Sequence, residues 1–430
     1  MSLKKYMKLI ALVGLFVSSC ESSDDLPPTE PPPITPPLTA EIEVYEGALI
    51  DNGLVLAIEN GGTTSYLVDK AGNRVFTWDF ADNLGNDLEL LPDGRAIGMF
   101  KSSNPSFTFG GWGGVIKIVN PDGSIDWEYN YTSENYIGHH DVDLLPNGNV
   151  LFLVWEKVTQ DVAEANGVNF AGDIFPETLI EVNPATNEIV WEWRSFDHII
   201  QDHDDTKSNF GVVADRPERI DINYNLQANG DFMHANGIDY DPQKDVVYIS
   251  VNFFSEIWVV DHSTTTAEAA TSSGGNYGKG GDLLYRFGNP EVYDNPMGQR
   301  LFFNNHFPNL LEDGVPGEGN MLVYVNNGDG VLQSTVYEFG IPANFSLTAN
   351  TDNEPQIIWS YTNEDLYHGR ISGAARLENG NTLICEGDYG YWEVTPAKEV
   401  AWKYNGEGNF WRGYGYSRDF PGLNALGISF

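Results

Sequence analysis

Beyond residue 40 the chain runs in short stretches where apolar and polar residues alternate, each closed by Gly, Pro, Asn or Asp. Ile116-Lys117-Ile118-Val119, followed by Asn120-Pro121-Asp122-Gly123, is representative; Ile180 to Pro184 and Trp392 to Pro396 match it. A period of two bounded by turn residues predicts strands joined by hairpins. Two phrases recur on this background. One ends a unit with two aromatics separated by one residue: Trp78-Asp79-Phe80, Trp127-Glu128-Tyr129, Trp191-Glu192-Trp193, Tyr285-Arg286-Phe287, Trp359-Ser360-Tyr361 and Trp402-Lys403-Tyr404. The other starts a unit with a strand running into Leu-Pro-Asn-Gly or a variant. Its copies are Leu90 to Gly94, Leu144 to Gly148 and Arg376 to Gly380, with looser ones at Tyr240-Asp241-Pro242 and Leu310 to Gly314. A shortened first copy is Leu49-Ile50-Asp51-Asn52-Gly53.

A start phrase followed by an aromatic ending makes one four-stranded unit, and six endings give six units. Antiparallel units of this size repeated radially predict an all-β, six-bladed β-propeller over residues 41–430. A pair of β-sandwiches would not explain six matching endings. Insertions at 194–232 and 263–281 account for the unequal spacing. The first is long and acidic, and is expected to lie over the channel mouth as a lid or acceptor-binding wall.

In such a fold the innermost strand of each blade lines the central channel. Aligned on the proline of the start phrase or its substitute, the position six residues earlier reads Asn86, His140, Asn236, His306 and Ser372. Two residues earlier still, on the same strand face if the alternation holds, stand Leu84, Gly138, His234, Asn304 and Arg370. Each polar residue taken alone could cap a strand or bond to backbone. A whole ring of them on otherwise apolar strands points to a site near one mouth, compact enough to hold His306 and His234 around one ligand.

The rest of the composition narrows what that site can do. With 62 acidic and 23 basic residues the chain carries a formal charge of −39, which argues against nucleic-acid binding. An anion site must then be local, built from a few His, Asn and Arg groups. The two cysteines, Cys20 and Cys385, exclude a disulfide-held fold and a zinc-cysteine centre. Residues 1–20 read as a signal segment. Lys4, Lys5 and Lys8 precede a short apolar run, and Val17-Ser18-Ser19-Cys20 looks like a bacterial lipoprotein cleavage site with Cys20 as the lipidated residue. Residues 21–40, acidic and then proline-rich, form a spacer. The expected location is the cell envelope, as a lipid-anchored outer-membrane protein on its periplasmic or surface face.

Neutral imidazole is a good nucleophile, and His, Asn and Arg donors can stabilise charge on equatorial oxygens during in-line displacement. Three channel histidines could alternatively hold zinc or iron, but no dense carboxylate cluster accompanies them in the sequence.

The phrases His139-His140-Asp141, His234-Ala235-Asn236-Gly237-Ile238-Asp239, Asn305-His306-Phe307-Pro308 and Ser372 to Gly387 resemble the bacterial arylsulfate sulfotransferase family, in order, across about residues 45–425. The resemblance implies movement of a sulfuryl group from an aryl sulfate to a phenol, without a nucleotide donor, cofactor or metal. It implies that His306 is transiently sulfated, with His140, His234 and Asn236 as supporting donors and Ser372 as the family's hydroxyl residue. His139 competes with His140 for the first position; the repeat alignment favours His140. Where the family usually places an arginine, this chain has Asn252, and Arg370 is the expected substitute. The N-terminal sandwich domain of some members is missing. Two other readings stand beside this one: a non-catalytic surface-binding propeller, and a quinoprotein-type propeller suggested by Asp69-Lys70-Ala71-Gly72. The second would need eight blades and a calcium carboxylate site.

Overall fold

The computed structural model describes residues 36–326 and 332–430, so the signal segment, Cys20 and most of the spacer lie outside the described residues. Those described form six antiparallel blades around a channel. In chain order the complete inner strands are Leu84–Leu90, Tyr136–Leu144, Ala235–Asp241, Asn305–Leu310 and Gly373–Arg376, each opening its own blade. The sixth is Phe410–Tyr416, from the other end of the sequence. It pairs with Leu54–Glu59 and closes the first blade. These six strands touch one another in a closed ring.

This closure explains the shortened first phrase. Leu49 to Gly53 is the turn of a blade whose inner strand comes from the C-terminal end. Gly53 sits so close to Tyr416 that a Cβ there would lie 2.3 Å from its carbonyl oxygen. At the other edge, Ile42–Tyr45 adds a fifth strand outside Val400–Asn405. Blades one and six are thus sewn from both chain ends, which closes the ring and leaves only the outer strand of each blade as an edge.

The aromatic endings fall on the fourth strand of each blade, counted from the channel, or at its end. Residues i and i+2 share a strand face, and three of the six pairs stack along it: Trp127 on Tyr129 at 5.9 Å, Trp359 on Tyr361 at 6.1 Å, Trp402 on Tyr404 at 5.9 Å. Trp402 is fully buried against blade one, where its indole donates to the Lys70 carbonyl at 2.9 Å and the Lys70 ammonium lies 4.6 Å over the ring. In the start phrases Gly94 and Gly148 take φ of 87° and 83°, a left-handed turn that suits glycine. Among the described residues no helix is long and apolar enough to cross a membrane.

Candidate active site

Strict alternation fails where the inner strands enter the channel. Register shifts interrupt the ladders between Phe152 and Leu153, Ala235 and Gly237, and His306 and Asn309. His140, His234, Asn304, Phe307 and Ser372 have φ of 54°, 51°, 62°, 56° and 110°. Such bulges and left-handed non-glycine residues re-aim side chains and cluster at functional sites. Adjacent strand residues can therefore both reach the channel, a result no two-residue period allows.

The bulges gather the histidines. The rings of His140 and His234 lie 4.9 Å apart; Trp411 stands 5.4 Å from His140 and 5.7 Å from His306. His306 is buried, and its Nδ1 lies 2.6 Å from Asn326 Oδ1. Burial first, then the charges of His234 and Arg412, hold His306 down at about 3, although the Asn326 hydrogen bond works the other way. It is a neutral imidazole at any physiological pH. His140 is also pushed well below the usual histidine range, by burial and by its histidine neighbours.

His234 differs. Burial disfavours its charge, but Asp231 Oδ2 sits 2.5 Å from Nδ1 and the net effect is upward. His139 turns away from the channel. It stacks on Trp155 at 3.7 Å, reaches Glu177 through Nε2 at 2.9 Å, and meets His140 Nδ1 to Nδ1 at 2.9 Å. His139 therefore backs His140, and His140 occupies the ring position.

The remaining expected residues divide. Asn236 is fully buried; its amide donates to the Asn305 carbonyl at 2.7 Å, and its Oδ1 has no protein partner among the described residues. Asn252 donates to the same carbonyl at 3.0 Å and touches His306 Nδ1 at 3.5 Å. Ser372 Oγ accepts from the Gly387 amide at 3.1 Å, and Asn86 donates to the Gly111 carbonyl at 2.9 Å. Arg370 is exposed, outside the buried histidine cluster, with its backbone amide donating to His368 Nδ1.

The arginine that enters the channel is Arg412. Leu90, Leu144, Leu310 and Arg376 pair with the second strands of their blades, each four residues after Asn86, His140, His306 and Ser372. Tyr416 pairs likewise with Leu54, and four residues before it is Arg412, the sixth ring position. Its guanidinium is 1% exposed, donates to Asp141 at 3.0 Å and to the Asn236 carbonyl at 3.2 Å, and lies 4.2 Å over the Phe307 ring. The repeat alignment missed it because its strand has no Leu-Pro-Asn-Gly phrase after it. The loop Ser102 to Gly113 was also missed. Gly111 accepts the His140 amide, and a Cβ on it would lie 2.0 Å from His140 Nε2. The run Phe107-Thr108-Phe109-Gly110-Gly111-Trp112 was the available signal.

The 194–232 insertion packs most of its apolar residues, among them Ile199, Ile200, Ile220 and Ile222, with the core near Trp193 and Trp258. Its last part reaches the site: Asn225 donates to the Phe253 carbonyl, Phe253 stacks on His234 at 4.6 Å, and Asp231 holds His234. Among the described residues no group of three or more His, Cys, Asp or Glu is arranged to hold a metal ion.

The family profile described as Arylsulfotransferase (ASST) matches residues 49–409. Among curated proteins none matches this chain. Solved structures of similar outline include Chaetomium thermophilum Raptor, at 11% identity and TM-score 0.40 over 87% of this chain and 24% of that one. This chain thus spans about a quarter of the Raptor chain. A luciferin-regenerating enzyme follows at 12%, 0.38, and 87% and 98%. BamB from Moraxella catarrhalis stands at 12%, 0.36, and 87% and 81%. Scores this low add nothing to the sheet topology described above.

Proposed function

The chain belongs to the arylsulfotransferase family, and on that premise we propose that it carries a sulfuryl group from an aryl sulfate to a phenol on His306, without a nucleotide donor. The observation that supports this most is the contrast inside one buried cluster. His306 is held neutral, while His234, paired with Asp231, is biased toward its charged form. A nucleophile needs a free lone pair, and a leaving phenolate needs a proton.

In the first half-reaction a ring nitrogen of His306 attacks sulfur, the bond from sulfur to the aryl oxygen breaks, and the departing phenolate takes a proton from His234. His140 and the amide of Asn236 are the nearby groups for the sulfuryl oxygens. In the second, the acceptor phenol returns a proton to His234, its oxygen attacks sulfur, and the nitrogen–sulfur bond breaks. Atoms and charge balance with no cofactor. The 194–232 insertion, through Asn225 and Asp231, would form part of the acceptor wall. Deleting its outer part should then change acceptor preference. Cys20 would tether the enzyme to the envelope, and Cys20→Ser should release it into the soluble fraction.

The deciding experiment is intact-mass analysis after adding 4-nitrophenyl sulfate without acceptor, with peptide mapping. A sulfuryl adduct on His306, absent in His306→Ala, is the expected result. No adduct under donor alone would leave the non-catalytic binding propeller as the better reading.

A further inference from the structure

His306 has two ring nitrogens, and only the unprotonated one can attack. We propose that Asn326 decides which: it fixes the proton of His306 on Nδ1 and leaves Nε2 as the reactive atom. The inference rests on the reading of His306 as the group that carries the sulfuryl, and it adds a positioning residue to it.

The case lies in the hydrogen bonds of one amide. Asn326 follows directly on the strand Asn320–Val325 and is fully buried. Its Nδ2 donates to two backbone carbonyls, of His368 and Ile371, both at 2.8 Å. Both amide hydrogens are then used. A flipped amide would set its oxygen against those two carbonyl oxygens, so the orientation is determined by the network. Its Oδ1 must face His306 Nδ1 at 2.6 Å, and an oxygen that can only accept requires a donor there. Asn252 Nδ2 lies 3.5 Å from the same nitrogen and donates at 3.0 Å to the Asn305 carbonyl, so the 2.6 Å contact with Asn326 is much the shorter and sets the proton.

The backbone of Asn326 is held too. Its amide donates to the Asn304 carbonyl at 2.8 Å, and its carbonyl accepts from Ser334 Oγ at 2.6 Å. The carbonyls of His368 and Ile371 belong to the segment leading into Ser372. Orientation of the nucleophile is thereby tied to the entry of the sixth blade.

The choice of an amide has a chemical reason. A carboxylate at this place would fix the same tautomer but also attract a proton onto Nε2, as Asp231 favours charge on His234. Asparagine orients without charging. Of the two histidines given a role in transfer and a side-chain partner, His306 has the amide and His234 the carboxylate.

The test is ¹⁵N-histidine NMR of the whole protein without substrate, assigned by comparison with His306→Ala, together with the pH dependence of adduct formation in two variants. The wild-type His306 should show a protonated Nδ1 and a bare Nε2. Asn326→Leu should lose this preference and form adduct on the order of 10²–10⁴-fold more slowly, as when a catalytic histidine loses its orienting partner. Asn326→Asp keeps an acceptor toward His306 and, once ionised, adds charge, at the cost of the two bonds to the His368 and Ile371 carbonyls. Its rate should recover at alkaline pH and fall at a markedly higher pH than the wild type on acidification. A proton on Nε2 in the wild type would overturn the inference, as would an Asn326→Asp profile superimposable on the wild type. The spectrum and the aspartate variant decide the matter even if Asn326→Leu does not fold. If the wild type forms no adduct at all, the functional reading falls, while the tautomer spectrum still judges Asn326.

Discussion

The two ends of the channel are lined by the same six strands, three residues apart, and their chemistry is opposite. At one end stand Asn86, His140, Asn236, His306, Ser372 and Arg412. Three residues further along each strand stand Glu89, Asp143, Asp239, Asn309, Ala375 and Gly415, which line a cavity of about 480 Å³. From its ring position Arg412 reaches inward over the Phe307 ring at 4.2 Å, and the two side chains form a plug that also lines this cavity. Gly373 makes room for the plug, since a Cβ there would lie 2.7 Å from Phe307 Cδ1. Burial acts on both ends in the direction that removes charge. It raises Glu89 to about 8 and Asp143 to about 7, and it lowers His306 to about 3. The comparison teaches that burial works against charge at both ends of the channel, and that at His234 the carboxylate of Asp231, 2.5 Å from Nδ1, outweighs it. On the proposed mechanism, the nucleophile and the proton donor differ in charge because their partners differ.

The sharpest way to break this comparison is to delete one member from each end. His306→Ala should reduce sulfuryl transfer to background, a loss on the order of 10⁴-fold or more, read with a chromogenic aryl sulfate and a phenol acceptor. Glu89→Gln should change the same rate less than about 3-fold, because burial already disfavours its charge and it lies beyond the plug. Equal losses in the two variants would mean that the ends work as one site.

The plug should come next in size. Arg412→Met removes the cation facing Asp141 and Asp87, and leaves two acids without it. Denaturant unfolding should show a loss of about 3–5 kcal/mol. Retained stability would mean that the acids are protonated in the folded state and need no partner.

A smaller effect is expected at Gly111. Its φ is +79°, and an alanine Cβ would meet the His140 ring. Gly111→Ala should lower kcat by about 10–10²-fold by displacing His140, with adduct formation on His306 slowed rather than lost. Unchanged kinetics would show that His140 does not touch the reacting group.

The smallest effect is a pH slope. The folded state holds Glu89 and Asp143 above their ordinary values, so it binds more protons than the unfolded chain at intermediate pH. Their contribution is fully present below the ordinary carboxylate range and is lost as pH rises through about 7 and 8. The lowered histidines, His140 and His306, add no slope above pH ~6.5, where they are neutral folded or unfolded. The thermal midpoint should therefore rise by a few degrees from pH 8.5 to pH 7, and by less in Glu89→Gln. A midpoint that falls over this interval would contradict the assignment of neutral acids to the far end.

Much of this was legible in the residues. A period of two with six aromatic endings is enough to specify six blades, because each ending marks the fourth strand of one unit. The start phrases located five ring positions, since a hairpin turn fixes distance along its own strand. What the sequence could not specify was anything that depends on which strand closes the ring or where a ladder slips. Arg412 belongs to the ring only because the C-terminal strand pairs with Leu54–Glu59. Nothing near Arg412 in the sequence marks that pairing. Asn326 and Asp231 lie outside the inner strands and meet their histidines through loops. Arg370 precedes the inner strand Gly373–Arg376 and is exposed, so the alternation used to place it does not extend to it. The sequence by itself determined the architecture and the residue types available for chemistry, because both follow from local repeats. Only the tertiary structure decided which histidine received an amide, which a carboxylate and which neither, because those partners come from distant segments brought together by closure of the ring.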